Sequence, residues 1–463
     1  MSSNADFLKV KGKHIINGRG ESVQLRGVCF AGWLNMENFF TGYPANESAF
    51  RAAVTKVLGE GKAKFFFERF LDYFITEDDI RFLKKLGTTV VRILLNFRHF
   101  EEDDRPFEYK DEGFKILDKV ISWCRKHQIY VILDLHAAPG WQNPDWHCDN
   151  PGMTTLLWEQ KHYQDRMIAL WEEFARHYRS EAFVAGYNIF NEPVVDDVSK
   201  LNALYRRVTS AIRKIDPDHI LFLEGNMYSV QFDGLEAPFD NNTVYSSHNY
   251  VAPGFADKEY PGEFEGKWYD RKQLEKEFCE GNTFMQRHGV PTWVGEFGSI
   301  YRGRKSDTSN LKVMNDMIGI FEQYQHHWTI CTYKDIGVMG VVYVDPESEW
   351  MRRTLPVREK KEKLRCDTFS AMDGGEVGLL LDQLINVVRR VCQNNHLDYG
   401  RFQWRLNRAV HGILLSEFLL PLCAEQFRNM SEKEIDNMMQ SFAFKNCIQR
   451  VGLVDILKKH MQP

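Results

Sequence analysis

Several short apolar runs in this 463-residue chain finish on polar side chains, and those endings are where chemistry can collect. Arg92 stands inside Val90-Val-Arg-Ile93, and His136 ends the run 130–136. Asn191-Glu192-Pro193 follows 184–190, His248 and Tyr250 end 244–250, and Glu296 ends 291–297. A polar group is costly to bury unless it is paired or functional, so several at the same ends of successive runs point to one pocket. Two carboxylates facing each other across a pocket suit double displacement at an acetal. One protonates the leaving oxygen and the other attacks the anomeric carbon, with about 5–5.5 Å between the carboxyls for retention and a wider gap for inversion. On this reading Glu192 is the general acid/base and Glu296 the nucleophile. Arg92 is the cation that keeps Glu296 ionised, Tyr250 donates to the same carboxylate, and Asn191 binds the sugar 2-hydroxyl. His136 and His248 position hydroxyls or tune the acid.

The elements needed to hold these residues follow from the pattern. Runs at 24–30, 89–96, 130–136, 184–191, 220–225, 244–250, 291–297 and 329–333 read as strands, separated by amphipathic stretches. Strands alternating with helices predict parallel βα units, here a (β/α)8 TIM barrel. Residues 7–10 and 14–16 flank Asn17-Gly-Arg-Gly20 and predict an N-terminal β-hairpin that closes the barrel bottom. Thr76-Glu-Asp-Asp79 before Ile80, Leu83 and Leu86 predicts a capped helix start. Longer excursions at 33–74, 137–155, 252–269 and 336–365 fall after strands one, three, six and eight, on the face where such barrels carry their sites. Residues 358–365 read as an exposed linker or a solvated helix, and from 376 the pattern predicts the last barrel helix followed by a C-terminal helical extension. The expected division is a catalytic barrel over 1–365 and this helical part over 366–463.

With these motifs in place, the chain resembles glycoside hydrolase family 5 over about residues 8–345, a family that includes cellulases, mannanases and exo-β-glucanases. The matching segments are Val90-Val-Arg-Ile93, Asp134-Leu-His136 with Ala137-Ala-Pro-Gly140 and Gln142-Asn143, Ile189-Phe-Asn-Glu-Pro193, His248-Asn-Tyr250 and Gly295-Glu-Phe-Gly298. The resemblance implies the same acid/base and nucleophile and assigns Arg92, His136, His248 and Tyr250 to the site. Arg26-Gly27, Gly32-Trp-Leu34 and Glu37 look like the opening of exo-β-1,3-glucanase-like members, which implies that Glu37 contacts the terminal sugar. Two positions depart from the family: Cys29 stands where Asn is usual, and Cys331 where a Trp normally underlies that sugar. Trp328, Tyr333, Trp350 and Trp141 are the candidates to replace the platform, unless the sugar is smaller or differently held.

Composition narrows the partners. A net charge of −5 lacks the basic footprint of a nucleic-acid binder. Nine cysteines have no zinc spacing, the N-terminus lacks a signal-peptide pattern, and no apolar stretch reaches membrane-spanning length. The expected setting is therefore cytoplasmic. The expected activity is exo-acting hydrolysis of a β-glucoside, oligosaccharide or glycoconjugate, with Trp141 among the binding residues and no cofactor. An arabinofuranosidase-like or other family glycosidase and a non-catalytic carbohydrate-binding barrel are the alternatives. A metal-dependent hydrolase finds only Asp134, His136 and His147, of which two share one strand and no third has clear ligand spacing. Sugar, linkage and oligomeric state are left open.

Overall fold

The computed structural model describes residues 7–366, 375–394 and 396–462. Eight parallel strands form a closed barrel: β1 Arg26–Phe30, β2 Val90–Asn96, β3 Tyr130–Ala137, β4 Val184–Asn188, β5 Ile220–Glu224, β6 Thr243–His248, β7 Thr292–Phe297 and β8 His327–Ile330. Neighbours follow sequence order, and Trp328↔Arg26 and Ile330↔Val28 join β8 to β1. The continuous apolar runs suit strands covered on both faces, and every residue of β2 is buried. The expected TIM barrel is the observed one. Strand ends differ: β4 stops at Asn188, so Asn191 and Glu192 stand on the loop beyond it, and β8 stops short of Cys331.

The N-terminal hairpin forms from Lys9–Lys11 and His14–Ile16. Its Leu8 and Ile15 pack with Leu25, Val90, Ile132, Ile220, Val244 and Trp293, at or near the strand starts, and so plug the bottom of the barrel. Thr76 caps Glu77–Leu86 as expected, its backbone N–H donating to Asp79 Oδ2 at 2.7 Å in a capping box.

Two readings of the helical regions change, and one open choice is decided. The excursion 33–74 holds three helices, the short Asn38–Thr41 and the longer Glu47–Leu58 and Glu60–Phe74, rather than an open loop. Of the two alternatives for residues 358–365 the helix is observed, as the end of Glu349–Leu364. The eighth ring position is filled not by the helix near 376 but by Val451–Met461, which packs against Ser306–Gln323 and Glu77–Leu86. Gly87, at φ +93°, lets it approach, since a Cβ there would lie 2.7 Å from the Met461 carbonyl oxygen. Amphipathic helices look alike in sequence, and packing decides which one returns to the ring.

The intervening C-terminal helices cover the first excursion. Leu415–Glu425 packs on Glu47–Leu58, and Glu432–Met439 on Glu60–Phe74. Phe50, Phe66, Phe427, Phe442 and Trp350 form the aromatic core between them, with Trp350 stacked on Phe427 at 5.8 Å. Aromatic pairs of this kind add to the area they bury.

Candidate active site

Arg92 is the hub. It lies fully buried on β2, where a bare guanidinium would be prohibitive, and its donors are distributed over the strand ends around it. Nε donates to Asn188 Oδ1 at 3.0 Å and Nη2 to Asn191 Oδ1 at 2.8 Å. Nη2 also meets Glu224 Oε1 at 3.1 Å and Asp134 Oδ2 at 3.2 Å, while Nη1 donates to Glu296 Oε1 at 2.5 Å.

Glu296 reaches this hub through an irregularity in the sheet. The β6–β7 register shifts between Ser247 and His248, which sets His248 opposite Glu296. Gly295 allows the close approach, since a Cβ there would lie 2.4 Å from Ser246 Oγ. The second Glu296 oxygen accepts from Tyr250 OH at 2.8 Å.

Glu192 sits across the pocket with a left-handed backbone, φ +49°. That conformation is unfavourable for a residue with a Cβ and persists only where surroundings enforce it. Here Glu192 N–H donates to Glu224 Oε2 at 2.8 Å, and Asn143 Nδ2 donates to the Glu192 carbonyl at 3.1 Å. Its carboxyl meets His248 Nδ1 at 2.7 Å on one oxygen and His147 Nε2 at 3.1 Å on the other. Ligand-type atoms of Glu192, His248 and Glu296 lie within 4.8 Å of one another. One oxygen of each carboxylate is thus within 4.8 Å of the other, a close approach of the kind that retention needs.

The electrostatics split the carboxyls into two groups. Burial, aided by the charges of Glu296 and Glu192, pushes Glu37 well above the usual carboxylate range. Burial likewise pushes Asp134 up to about 8, against the pull of Arg92. Burial works the same way on Glu192, but its contacts with His147 and His248 win and hold it well below that range. Glu224 is also held down, burial being outweighed by His248 and Arg92. Burial alone would depress His248, yet Glu224, Glu296 and Glu192 around it push the imidazole well above its ordinary value. His136 goes the other way: burial brings it to about 3, a neutral ring bonded to Asp134 at 2.8 Å and accepting from Asn191 Nδ2 at 3.2 Å. Environments that push titratable groups apart are what acid/base sites require.

Arg92, His136, Asn191, Glu192, His248, Tyr250 and Glu296 thus converge, as the strand endings imply. Glu37 joins them: it is 4 % exposed, His136 Nε2 lies 3.6 Å from its Oε1, and that oxygen has no hydrogen-bond partner among the described residues. Trp141, half-buried, donates to the Asp149 carbonyl at 2.9 Å, which fixes its indole edge within its own loop. Three proposed platforms do not serve. Trp328, Tyr333 and Trp350 are buried in packing, donating to Glu322, Asp79 and the Thr41 carbonyl. Cys331 packs with Cys29, Phe40, Ile300 and Met339 and against Tyr250, so both departures from the family pattern meet in one patch beside the nucleophile.

Glu224 escaped sequence reasoning, and His147 entered it only as a candidate metal ligand. Glu224 ends the fifth apolar run, Ile220-Leu-Phe-Leu-Glu224, and carries the same signal that marks the other strand ends. His147 lies in an irregular loop, and nothing in its spacing announces contact with Glu192.

The comparisons agree with this geometry. Residues 50–335 match the family model for Cellulase (glycosyl hydrolase family 5). A beta-xylosidase of Phanerodontia chrysosporium is 41% identical over 466 residues, covering 97% of each chain. Endoglucanase C of Acetivibrio thermocellus is 27% identical over 305 residues, 58% of this chain and 87% of that one. In fold alone, the cellulose synthase subunit Z of Clostridioides difficile superposes with a TM-score of 0.53 at 19% identity, covering 72% of this chain and 99% of that one. The chain belongs to glycoside hydrolase family 5 and is a retaining glycoside hydrolase.

Proposed function

We propose that the protein releases a terminal β-linked xylose or glucose from the non-reducing end of its substrate, with Glu296 as nucleophile and Glu192 as acid/base. The observation that carries this reading is the contrast in partners: Glu296 is bound by a guanidinium and a phenol, Glu192 by two imidazoles. In the first step Glu296 forms a bond to the anomeric carbon while Glu192 gives its proton to the departing oxygen. In the second, Glu192 takes a proton from water, whose oxygen attacks the same carbon and frees Glu296. In the free enzyme that proton rests on His248, 2.7 Å from Glu192; His248 hands it to Glu192 for the first step and takes it back after the second.

Exo action is supported by enclosure. The side chains of Glu37, His136, His147, Glu192 and Glu296 are all nearly buried, so a sugar must enter deep to meet them, which suits a chain end. The unpartnered oxygen of Glu37, pushed toward its neutral form, is a receptor for a terminal-sugar hydroxyl. The name of the full-length relative, a beta-xylosidase, favours xylose. The scattered cysteines, without CxxC or zinc spacing, favour a reducing, cytoplasmic setting.

The test is a screen of 4-nitrophenyl β-xyloside, β-glucoside, β-mannoside, β-galactoside and α-arabinofuranoside with wild type and Glu296→Gln. The expected result is turnover of β-xyloside or β-glucoside with the anomeric configuration retained, and a loss of about a thousandfold or more in the variant. Turnover confined to the other sugars refutes the proposed specificity, and undiminished activity in the variant refutes the assignment of Glu296.

A further inference from the structure

The loop that brings His147 to Glu192 is pinned at both ends by an aspartate. Asp149 anchors one end to the excursion after β1 and to the turn after β2, accepting from Asn46 Nδ2 at 2.7 Å, Ser48 N–H at 2.8 Å and Arg98 Nε at 2.9 Å. Asp145 anchors the other, but not to the barrel alone. Tyr228 OH donates to its Oδ2 at 2.7 Å, and Arg408 grips both oxygens, Nε to Oδ1 at 2.6 Å and Nη2 to Oδ2 at 3.3 Å. Arg408 belongs to the C-terminal helical region, 263 residues away and outside the span matched by the family.

The contact is a built one. The Arg408 guanidinium lies 4.2 Å from the ring centre of Trp404, one turn earlier, and 5.8 Å from that of Tyr228. Gly412, one turn later, comes so close to Trp146 that a Cβ would touch its ring at 3.4 Å. Arg401 on the preceding helix Tyr399–Asn407 pairs with Asp196, just past Glu192 on the loop after β4. This region thus touches the loops after β3, β4 and β5 on the Glu192 side of the pocket.

We infer that Arg408 is a positioning residue for the acid/base: through Asp145 it holds His147 against Glu192, so the C-terminal helices complete the half of the site that protonates the leaving group. The inference rests on the proposed role of Glu192. A bidentate guanidinium fixes direction as well as charge, and a misplacement of about 1 Å in catalytic geometry can cost about a hundredfold. His147 is the element at risk. Glu192 would keep His248, while Glu296 would keep Arg92 and Tyr250.

The experiment compares Arg408→Ala and Arg408→Lys with wild type on two aryl glycosides of the sugar that wild type hydrolyses. Phenol is a poor leaving group that needs a proton; 2,4-dinitrophenol leaves without one. In kcat/KM, which reports the first step, Arg408→Ala is expected to lose at least about tenfold on the phenyl glycoside and less than about twofold on the dinitrophenyl one. Retained dinitrophenyl activity is itself the measure of folding. Arg408→Lys should fall short of wild type, because an ammonium cannot span both oxygens. Should Arg408→Ala fail to fold, Tyr228→Phe, which removes the other donor to Asp145, carries the same comparison. Equal losses on both glycosides, or no loss on either, overturn the inference. A wild type inactive on every glycoside instead overturns the functional reading, and this inference with it.

Discussion

Replacing Glu224 with Gln should move the alkaline limb of the pH–activity profile downward by about one to two pH units. Glu224 and His248 side chains are both fully buried, with His248 Nε2 3.3 Å from Glu224 Oε1. Two unit charges at that distance interact by about 5 kcal/mol at an effective dielectric of about 20. Not all of this is lost. The same oxygen is 3.1 Å from Arg92 Nη2, which already compensates part of its charge, and Glu192 and Glu296 still face His248 at 2.7 and 3.7 Å. Retaining about a third to a half as the effect on His248 leaves roughly 1.5–2.5 kcal/mol, at about 1.4 kcal/mol per pH unit. The sign follows from what is removed. An anion stabilises the imidazolium, so without it the proton shared by His248 and Glu192 leaves at lower pH, and the protonated acid is lost sooner as pH rises. The assay is kcat/KM against pH on a phenyl glycoside, with circular dichroism recorded at each pH. A folded Glu224→Gln enzyme whose alkaline limb stays within about 0.3 unit of wild type, or moves up, refutes the reasoning.

Other outcomes follow from the same geometry. Glu192→Ala should be crippled on the phenyl glycoside yet retain most first-step activity on the dinitrophenyl one, and added azide should yield the glycosyl azide of retained configuration; absence of that product counts against Glu192 as acid/base. Glu47 offers a test of stability. Burial raises it, but Arg51 and His99 win and hold it at about 2, against an ordinary 4.5. A depressed carboxyl contributes stability above its unfolded pKa and loses it as pH falls through the folded value, here about 3 kcal/mol in full between pH of about 4.5 and 2. Urea titrations at pH 6 and pH 3 should therefore show a larger fall for wild type than for Glu47→Gln, and equal falls would rule the contribution out.

Much of the site is legible in the sequence because barrel strands impose a simple rule. A polar residue at the end of an apolar run lies at the rim of a closed barrel, where its neighbours must be the other strand ends. His136, Glu192, His248 and Glu296 obey the rule, and so does Glu224, although nothing in family motifs draws attention to it; Arg92 is the exception, a charge inside its strand. No such rule covers the aromatics. Trp328 looks like a replacement platform, yet it is fully buried and its indole N–H donates to Glu322. Trp350 looks equally available, yet it is committed to an aromatic core with Phe427 and Phe442.

What the chain determines locally is the barrel, its capped helices and the pair of acids, because each depends on periodicity and on residue type at a strand end. What only the tertiary structure decides is the set of long-range partnerships. Val451–Met461 becomes the eighth ring helix, Cys29 and Cys331 meet beside the nucleophile, and Arg408 reaches Asp145 across 263 residues. The physical reason is the same in each case. Amphipathic helices and single charged side chains have many possible partners along a sequence, and only the closing of the barrel and the packing around it select one.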